Sequence, residues 1–249
     1  MKILLKIRFV GTKYAGYQVQ NNAPTVQGEL CRAAEQLFGC RCDVTGCSRT
    51  DSGVHANVFC AAVTGHGTQN LETTVPTDKI PRAMNAFLPP DIAVISAEEV
   101  EDSFHPRYDV KSKEYVYFIQ NGGERDPFMA DRCLFYPKRL DVERMNEAAQ
   151  MFVGEHDFAT YMAAGSKVES TVRTVYSASV VRDGDVVKFA VRGNGFLYNM
   201  VRIMTGTLLA VGEGKIFPEK IPQITDSLDR KRAGSTAPAC GLYLNDVEY

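Results

Sequence analysis

The sequence predicts an α+β chain of two tandem split-βαβ units with mainly antiparallel sheets. Three observations predict it. The first half reads strand, helix, strand, strand, helix, strand. The second half repeats that order with longer parts, in its elements rather than its letters. No Gly/Ser-rich linker separates the halves, so they are expected to pack together around a shared groove, the natural place for a site.

The elements follow from local pattern. Lys6 and Arg8 break the apolar run over 2–10, and Ile3, Leu5, Ile7 and Phe9 alternate with them, a period of two that marks a strand. After Pro24-Thr25, the residues Val26, Leu30, Ala33, Ala34, Leu37 and Phe38 recur at helical spacing, and Gly39 stands where a glycine stops a helix. Strands near 42–47 and 57–64 flank a polar segment. A short helix near 77–87 and a strand near 91–100 close the first unit. Tyr115, Tyr117 and Ile119 alternate with Glu114, Val116 and Phe118, which predicts a strand over Lys113–Gln120 buried on both faces. A helix over 141–152 has Asp141 as its cap. Strands near 171–182 and 186–193 are joined by Asp183-Gly184, a hairpin signal. Helices over 196–211 and 218–228 precede a last strand, Gly241–Val247. The boundary falls within 101–112, giving units 1–105 and 106–249 of ferredoxin-like type.

Composition sets the broad class. The chain has 249 residues, 45% hydrophobic and 23% charged, the mix of a soluble globular protein. Seven cysteines stand at 31, 40, 42, 47, 60, 133 and 240. No second CxxC pair follows the cluster at 40–47, and His55, His66, His105 and His156 lack zinc spacing, so no metal site is expected. Reduced thiols suit a reducing cytoplasm. Lys6 and Arg8 interrupt the apolar amino terminus, which argues against a secretion signal, and no run reaches the ~18 apolar residues of a membrane span. A soluble, cytoplasmic protein is expected.

The formal net charge is −2, less basic than many dedicated nucleic-acid domains. Local clusters can still contact phosphate, because charges on one face act within about a Debye length, ~10 Å. Candidates are Arg107 with Lys111 and Lys113, Lys138 with Arg139, and Arg230-Lys231-Arg232. Each is also readable as solvated surface.

Chemistry concentrates in Gly46–Ala56. This polar, turn-rich segment lies between two apolar strands, and Arg49 and Asp51 stand two apart on it. A guanidinium beside a carboxylate in a partly dry site keeps the carboxylate ionised. The same pair can instead fix a turn, with Asp51 capping Gly53. The residues alone leave both open.

Ser48-Arg49-Thr50-Asp51-Ser52-Gly53-Val54-His55-Ala56 resembles the signature of the tRNA pseudouridine synthase A family, in which the aspartate is catalytic. Four more blocks agree in order. Tyr14-Ala15-Gly16-Tyr17-Gln18 with Thr25-Val26-Gln27 is similar to the amino-terminal block. Phe104-His105-Pro106-Arg107 with Lys113-Glu114-Tyr115-Val116-Tyr117 is similar to the central one. Phe196-Leu197-Tyr198-Asn199-Met200-Val201-Arg202 and Gly241-Leu242-Tyr243-Leu244 complete the set, which spans nearly the whole chain. One departure is visible: the amino-terminal block commonly ends in Trp-Gln, and here reads Tyr17-Gln18.

The resemblance implies an isomerase that converts uridines 38, 39 and 40 of the tRNA anticodon stem-loop to pseudouridine in a central RNA-binding cleft, without cofactor and as a homodimer. It implies that Asp51 is the nucleophile or base that breaks the glycosidic bond, and that the freed uracil rejoins through C5. Tyr115 would stack on the target base, a contact of about 1–3 kcal/mol; a core tyrosine is the plain alternative. Arg49 would fill the space left by the flipped uridine. Arg202 falls off the main apolar stripe of a helix that is apolar nearly all round. A buried arginine there needs a partner, with Asp51 expected; a surface-facing Arg202 is the alternative. Leu242 would pack on the base pocket, or serve as an ordinary core residue.

Two other functions compete. A non-catalytic RNA-binding protein of the same fold would keep the arginines without needing Asp51. A carboxylate-pair hydrolase would need a second acid beside Asp51; Asp109 and Glu114 are in a region that could approach, but nothing in the spacing demands it. Dinucleotide, P-loop, Gly-x-Ser-x-Gly and His-Glu-x-x-His signatures are missing from the sequence.

Overall fold

The computed structural model describes residues 1–67, 70–165 and 168–249. The fold is mixed α+β, rich in sheet and poor in helix. By compactness the chain separates into Met1–Lys111 with Leu244–Tyr249, and Ser112–Tyr243.

The first unit contains β1 (Lys2–Phe9), α1 (Val26–Phe38), β2 (Cys42–Gly46), β3 (His55–Gly65), α2 (Ile80–Asn85) and β4 (Ile92–Val100). Strand β1 lies between β4 and β3, antiparallel to both, and β2 pairs antiparallel with β3. Ile3, Leu5, Ile7 and Phe9 are buried while Lys6 and Arg8 are exposed, as the alternation predicts. Thr25 Oγ1 accepts from Gly28 N–H at 3.2 Å and caps α1, a contact worth about 1 kcal/mol. Gly39 ends the helix at φ 65°. The buried face of α1 is Val26, Leu30, Ala33, Ala34 and Phe38, with Leu37 only half-buried.

The second unit contains β5 (Ser112–Gln120), β6 (Leu134–Phe135), α3 (Val142–Gln150), β7 (Gly154–Asp157), β8 (Val172–Asp183), β9 (Val186–Gly193), α4 (Met200–Gly212) and α5 (Ile221–Thr225). The final strand β10 (Leu242–Glu248) begins here and runs on into the first unit. Strand order is β5-β9-β8-β7, all antiparallel, and β6 adds a two-residue parallel pairing to β5. Tyr115, Val116 and Tyr117 are all buried, so the centre of β5 is covered on both faces.

The structure corrects several boundaries. The helix predicted from 196 begins at Met200, because Asn199 takes φ 60° and breaks helical geometry ahead of it. The helix predicted over 218–228 is a 3-10 turn, Pro218–Lys220, followed by the short α5. The helix predicted over 77–87 divides likewise into Thr77–Lys79 and α2. A proline near the start of each α segment explains this, since a residue without N–H is tolerated only in a helix's first turn. The β8–β9 turn is Gly184-Asp185, one residue later than predicted: Asp183 pairs with Val186, and Gly184 takes φ 55°. Strands β6 and β7 went unpredicted. One is two residues long, and the other, Gly154–Asp157, is too polar and short for a period of two to register.

Candidate active site

The segment 47–54 joins β2 to β3, and its shape comes from backbone contacts. Val54 N–H donates to Asp51 O at 3.2 Å, and Gly53 sits at φ 79°, where a side chain would be strained. Cys47 N–H donates to Cys60 O at 2.8 Å.

The amino-terminal block is the bed for this loop. Tyr17 N–H donates to Thr50 O at 3.1 Å, and Ser52 Oγ donates to Tyr14 O at 3.2 Å. Two glycines permit close approach: a Cβ on Gly11 would lie 1.9 Å from Val54 O, and one on Gly16 would lie 2.6 Å from Thr50 O. Gly11 N–H also donates to Nδ1 of the fully buried His55 at 3.0 Å. An accepting Nδ1 makes His55 a neutral ring with its proton on Nε2. The histidine of the signature is therefore part of the scaffold.

Tyr17, where the family pattern has tryptophan, lies under the loop. Its ring stacks on Phe59 at 4.4 Å and 27°, and a Cβ on Gly46 would meet it at 2.5 Å. Burial pushes the phenol well above its ordinary pKa. Its hydroxyl is buried without a hydrogen-bond partner among the described residues, as is Thr50 Oγ1. The departure from the pattern thus concerns packing beneath the loop.

On this bed Asp51 is half-buried and Arg49 exposed. The Arg49 guanidinium makes no hydrogen bond or ion pair among the described residues. An Arg49–Asp51 pair is not what fixes the turn; the backbone bonds and the two glycines do that.

The second unit holds the other sequence-predicted residues. Tyr115 on β5 is 7% exposed and meets Phe196 edge to face at 5.1 Å and 83°. Arg202 lies in the first turn of α4, a helix buried on nearly every side. It is half-buried; its Nε donates to Ala237 O at 2.8 Å and its Nη1 to Asn199 Oδ1 at 2.8 Å. Ala237 N–H returns a bond to Arg202 O at 3.1 Å. Tyr117 shares a β5 face with Tyr115 by the period of two, and its hydroxyl donates to Pro238 O at 2.7 Å. Leu242 is buried. Arg49 and Asp51 therefore share one loop of the first unit, while Tyr115, Arg202 and Leu242 belong to the second.

Sequence reasoning missed two supports. One is the bed of Gly11, Gly16 and Tyr17, signalled by glycines in a polar stretch that periodicity leaves unexplained. The other is the segment 229–238 that holds Arg202, which carries no periodic signal. Among the described residues no three His, Cys, Asp or Glu side chains gather to hold a metal ion, and no helix is long and apolar enough to cross a membrane.

A family profile described as tRNA pseudouridine synthase matches residues 6–109 and 148–249. The chain is 45% identical over 249 residues to a tRNA pseudouridine synthase A of Ruminiclostridium cellulolyticum, covering 100% of this chain and 99% of the relative. It is 44% identical over 248 residues to one of Acetivibrio thermocellus, covering 99% of each. A crystal structure of a Cbf5-Nop10-Gar1 complex aligns at TM-score 0.35 and 17% identity, over 83% of this chain and 45% of that one, too slight a likeness to bear on the fold. The profile spans most of the chain in two long blocks, and the relatives match it end to end: the chain belongs to the tRNA pseudouridine synthase family, a family of isomerases.

Proposed function

We propose that this enzyme isomerises uridines 38, 39 and 40 of the tRNA anticodon stem-loop to pseudouridine, with Asp51 as its catalytic carboxylate. The observation that carries the reading is the lashing of segment 47–54. In a chain of this family, glycine approaches and backbone bonds hold that one loop in place, and Asp51 stands half-buried at its turn. A carboxylate held by its backbone keeps its place when a substrate meets it, so its orientation costs little at the moment of reaction.

The reaction exchanges one bond for another. The C1′–N1 bond breaks, with Asp51 acting at C1′ or on the 2′ proton. The freed uracil turns, C1′ bonds to C5, the C5 proton leaves and N1 takes up a proton. Atoms balance without a second reactant or cofactor.

Tyr115 stacks on the target base in this reading, Leu242 packs beside it, and Arg202 pairs with Asp51. The exposed, unengaged Arg49 is the group that fills the place of the flipped uridine; flipping costs a few kcal/mol, which a stacked guanidinium offsets. The site is a cleft completed by two split-βαβ units, 1–105 bringing the Asp51 loop and 106–249 the rest. The order β4-β1-β3 with β2 on β3, and β5-β9-β8 with helices between, supports that reading of each unit. The enzyme works as a homodimer in the cytoplasm.

The test is pseudouridine mapping at single-nucleotide resolution on unmodified tRNA transcripts, with wild type and Asp51→Ala and no metal or cofactor added. Pseudouridine at 38, 39 or 40 with wild type, falling more than about a thousandfold in rate with Asp51→Ala, establishes the reaction and the residue. If both proteins bind tRNA and neither modifies it, the chain is a non-catalytic RNA-binding protein. Free uracil as product would mean a hydrolase.

A further inference from the structure

The second unit carries a basic loop that the reaction does not use. It runs from Asp229 to Thr236, and its three cations do different work. Arg230 is turned inward: Nη1 donates to Gly234 O at 2.8 Å and Nη2 to Thr236 Oγ1 at 3.1 Å, which staples the loop to itself. Lys231 and Arg232 are exposed, and their side chains make no hydrogen bond or ion pair among the described residues.

An exposed loop is ordinarily soft, and this one is not. Gly234 N–H donates to Thr207 Oγ1 on α4 at 2.9 Å. Asp229 takes Lys231 N–H on Oδ1 at 2.9 Å and Arg232 N–H on its carbonyl at 3.0 Å. A Cβ on Gly206 of α4 would lie 1.7 Å from Ser235 O, and one on Gly234 would lie 2.4 Å from Gly206. Helix and loop touch backbone to backbone. The chain then runs directly into Ala237 and Pro238, which hold Arg202 and Tyr117. Lys231 and Arg232 are thus fixed relative to Arg202 through a few bonded residues.

Members of the other basic clusters are engaged. Lys138 pairs with Glu213 at 2.9 Å. Lys111 donates to Tyr249 O at 2.9 Å, and Arg107 of the same cluster lies over the ring of Tyr108 at 5.8 Å. Of the acids next to the basic loop in sequence, Asp229 turns its Oδ1 to the Lys231 N–H and Asp226 is exposed.

We infer that Lys231 and Arg232 form a preorganised contact for two phosphates of the tRNA backbone, seating the RNA relative to Arg202, while Arg230 only shapes the loop. This rests on tRNA being the substrate. The two cations give affinity without reading sequence, and each phosphate neutralised releases counterions, so the contact has a salt signature.

The test is binding of an unmodified tRNA transcript across a series of salt concentrations, comparing wild type with the Lys231→Ala/Arg232→Ala double variant. Both residues are exposed, so the variant folds. The expected result is a plot of log K against log salt less steep by about 1.4–1.8, the loss of two phosphate contacts. Arg230→Ala should lower the melting temperature and leave the slope alone. A double variant with the wild-type slope overturns the contact. A wild type that binds no tRNA overturns the function beneath it, and the contact too.

Discussion

The loop that carries Asp51 and the helix that carries Arg202 place their charged groups by different means. Segment 47–54 has few buried side chains of its own. It is held by backbone bonds to an amino-terminal block and by glycines that let main chains touch. Helix α4 is buried almost all round, from Met200 to Gly212, and Arg202 takes its bearing from that packing and from Ala237. The difference teaches where each residue is vulnerable. The loop, held at backbone contacts, is expected to give way locally when disturbed, and the packed helix is not.

Two glycine substitutions sharpen that contrast. In Gly206→Ala the new methyl meets Ser235 O, and neither α4 nor the stapled loop can yield. The expected cost is about 3 kcal/mol or more, the upper range for overpacking, read by thermal or urea unfolding. In Gly11→Ala the methyl meets Val54 O, but the loop can move outward. Stability should fall by less, about 1–2 kcal/mol, while pseudouridine formation falls further than folding explains, because Asp51 moves with Val54. Equal losses of stability in both variants would mean the loop is as rigidly packed as the helix.

A smaller effect separates the two regions by pH. Glu213 follows the last residue of α4, where an acid opposes the helix dipole. Lys215 and Lys138 lie within ion-pair reach and, with Tyr136, hold its carboxyl down to about 2. A folded pKa below the unfolded value makes the native state bind fewer protons. Its contribution is therefore present above pH of about 4.5 and lost as pH falls towards 2. Glu213→Gln should flatten the loss of stability across that acid range and leave the neutral-pH rate unchanged. An unaltered acid limb would show that the exposed lysines do not hold the carboxylate in solution.

How much of this was legible in the sequence follows the same division. Periodic elements were readable: the alternation of Ile3, Leu5, Ile7 and Phe9, and the α1 stripe closed by Gly39, stand as expected. The start of α4 was not, because Asn199 at positive φ stops helical geometry in a segment whose apolar spacing suggests otherwise. Arg49 and Asp51 stood out as a polar pair between strands, yet their spacing also fitted a mutual turn-fixing bond, and only the folded chain shows that Arg49 is unengaged. The bed of Gly11, Gly16 and Tyr17 needs a close approach of segments far apart in the chain, and no local pattern encodes that.

The smallest effect concerns Tyr17, at the base of the loop. Its ring fills the space over Phe59 and Gly46, while its hydroxyl is buried with no partner among the described residues. An unsatisfied buried hydroxyl costs about 1–3 kcal/mol, so the ring stabilises the bed while the oxygen opposes it. Tyr17→Phe keeps the stack and removes the oxygen. It should raise stability, by about 1 kcal/mol, with little change in pseudouridine formation. A destabilised Tyr17→Phe would show that the hydroxyl has a partner in solution, such as a bound water. The bed of the Asp51 loop would then be held by a polar contact as well as by packing, and its contrast with α4 would narrow.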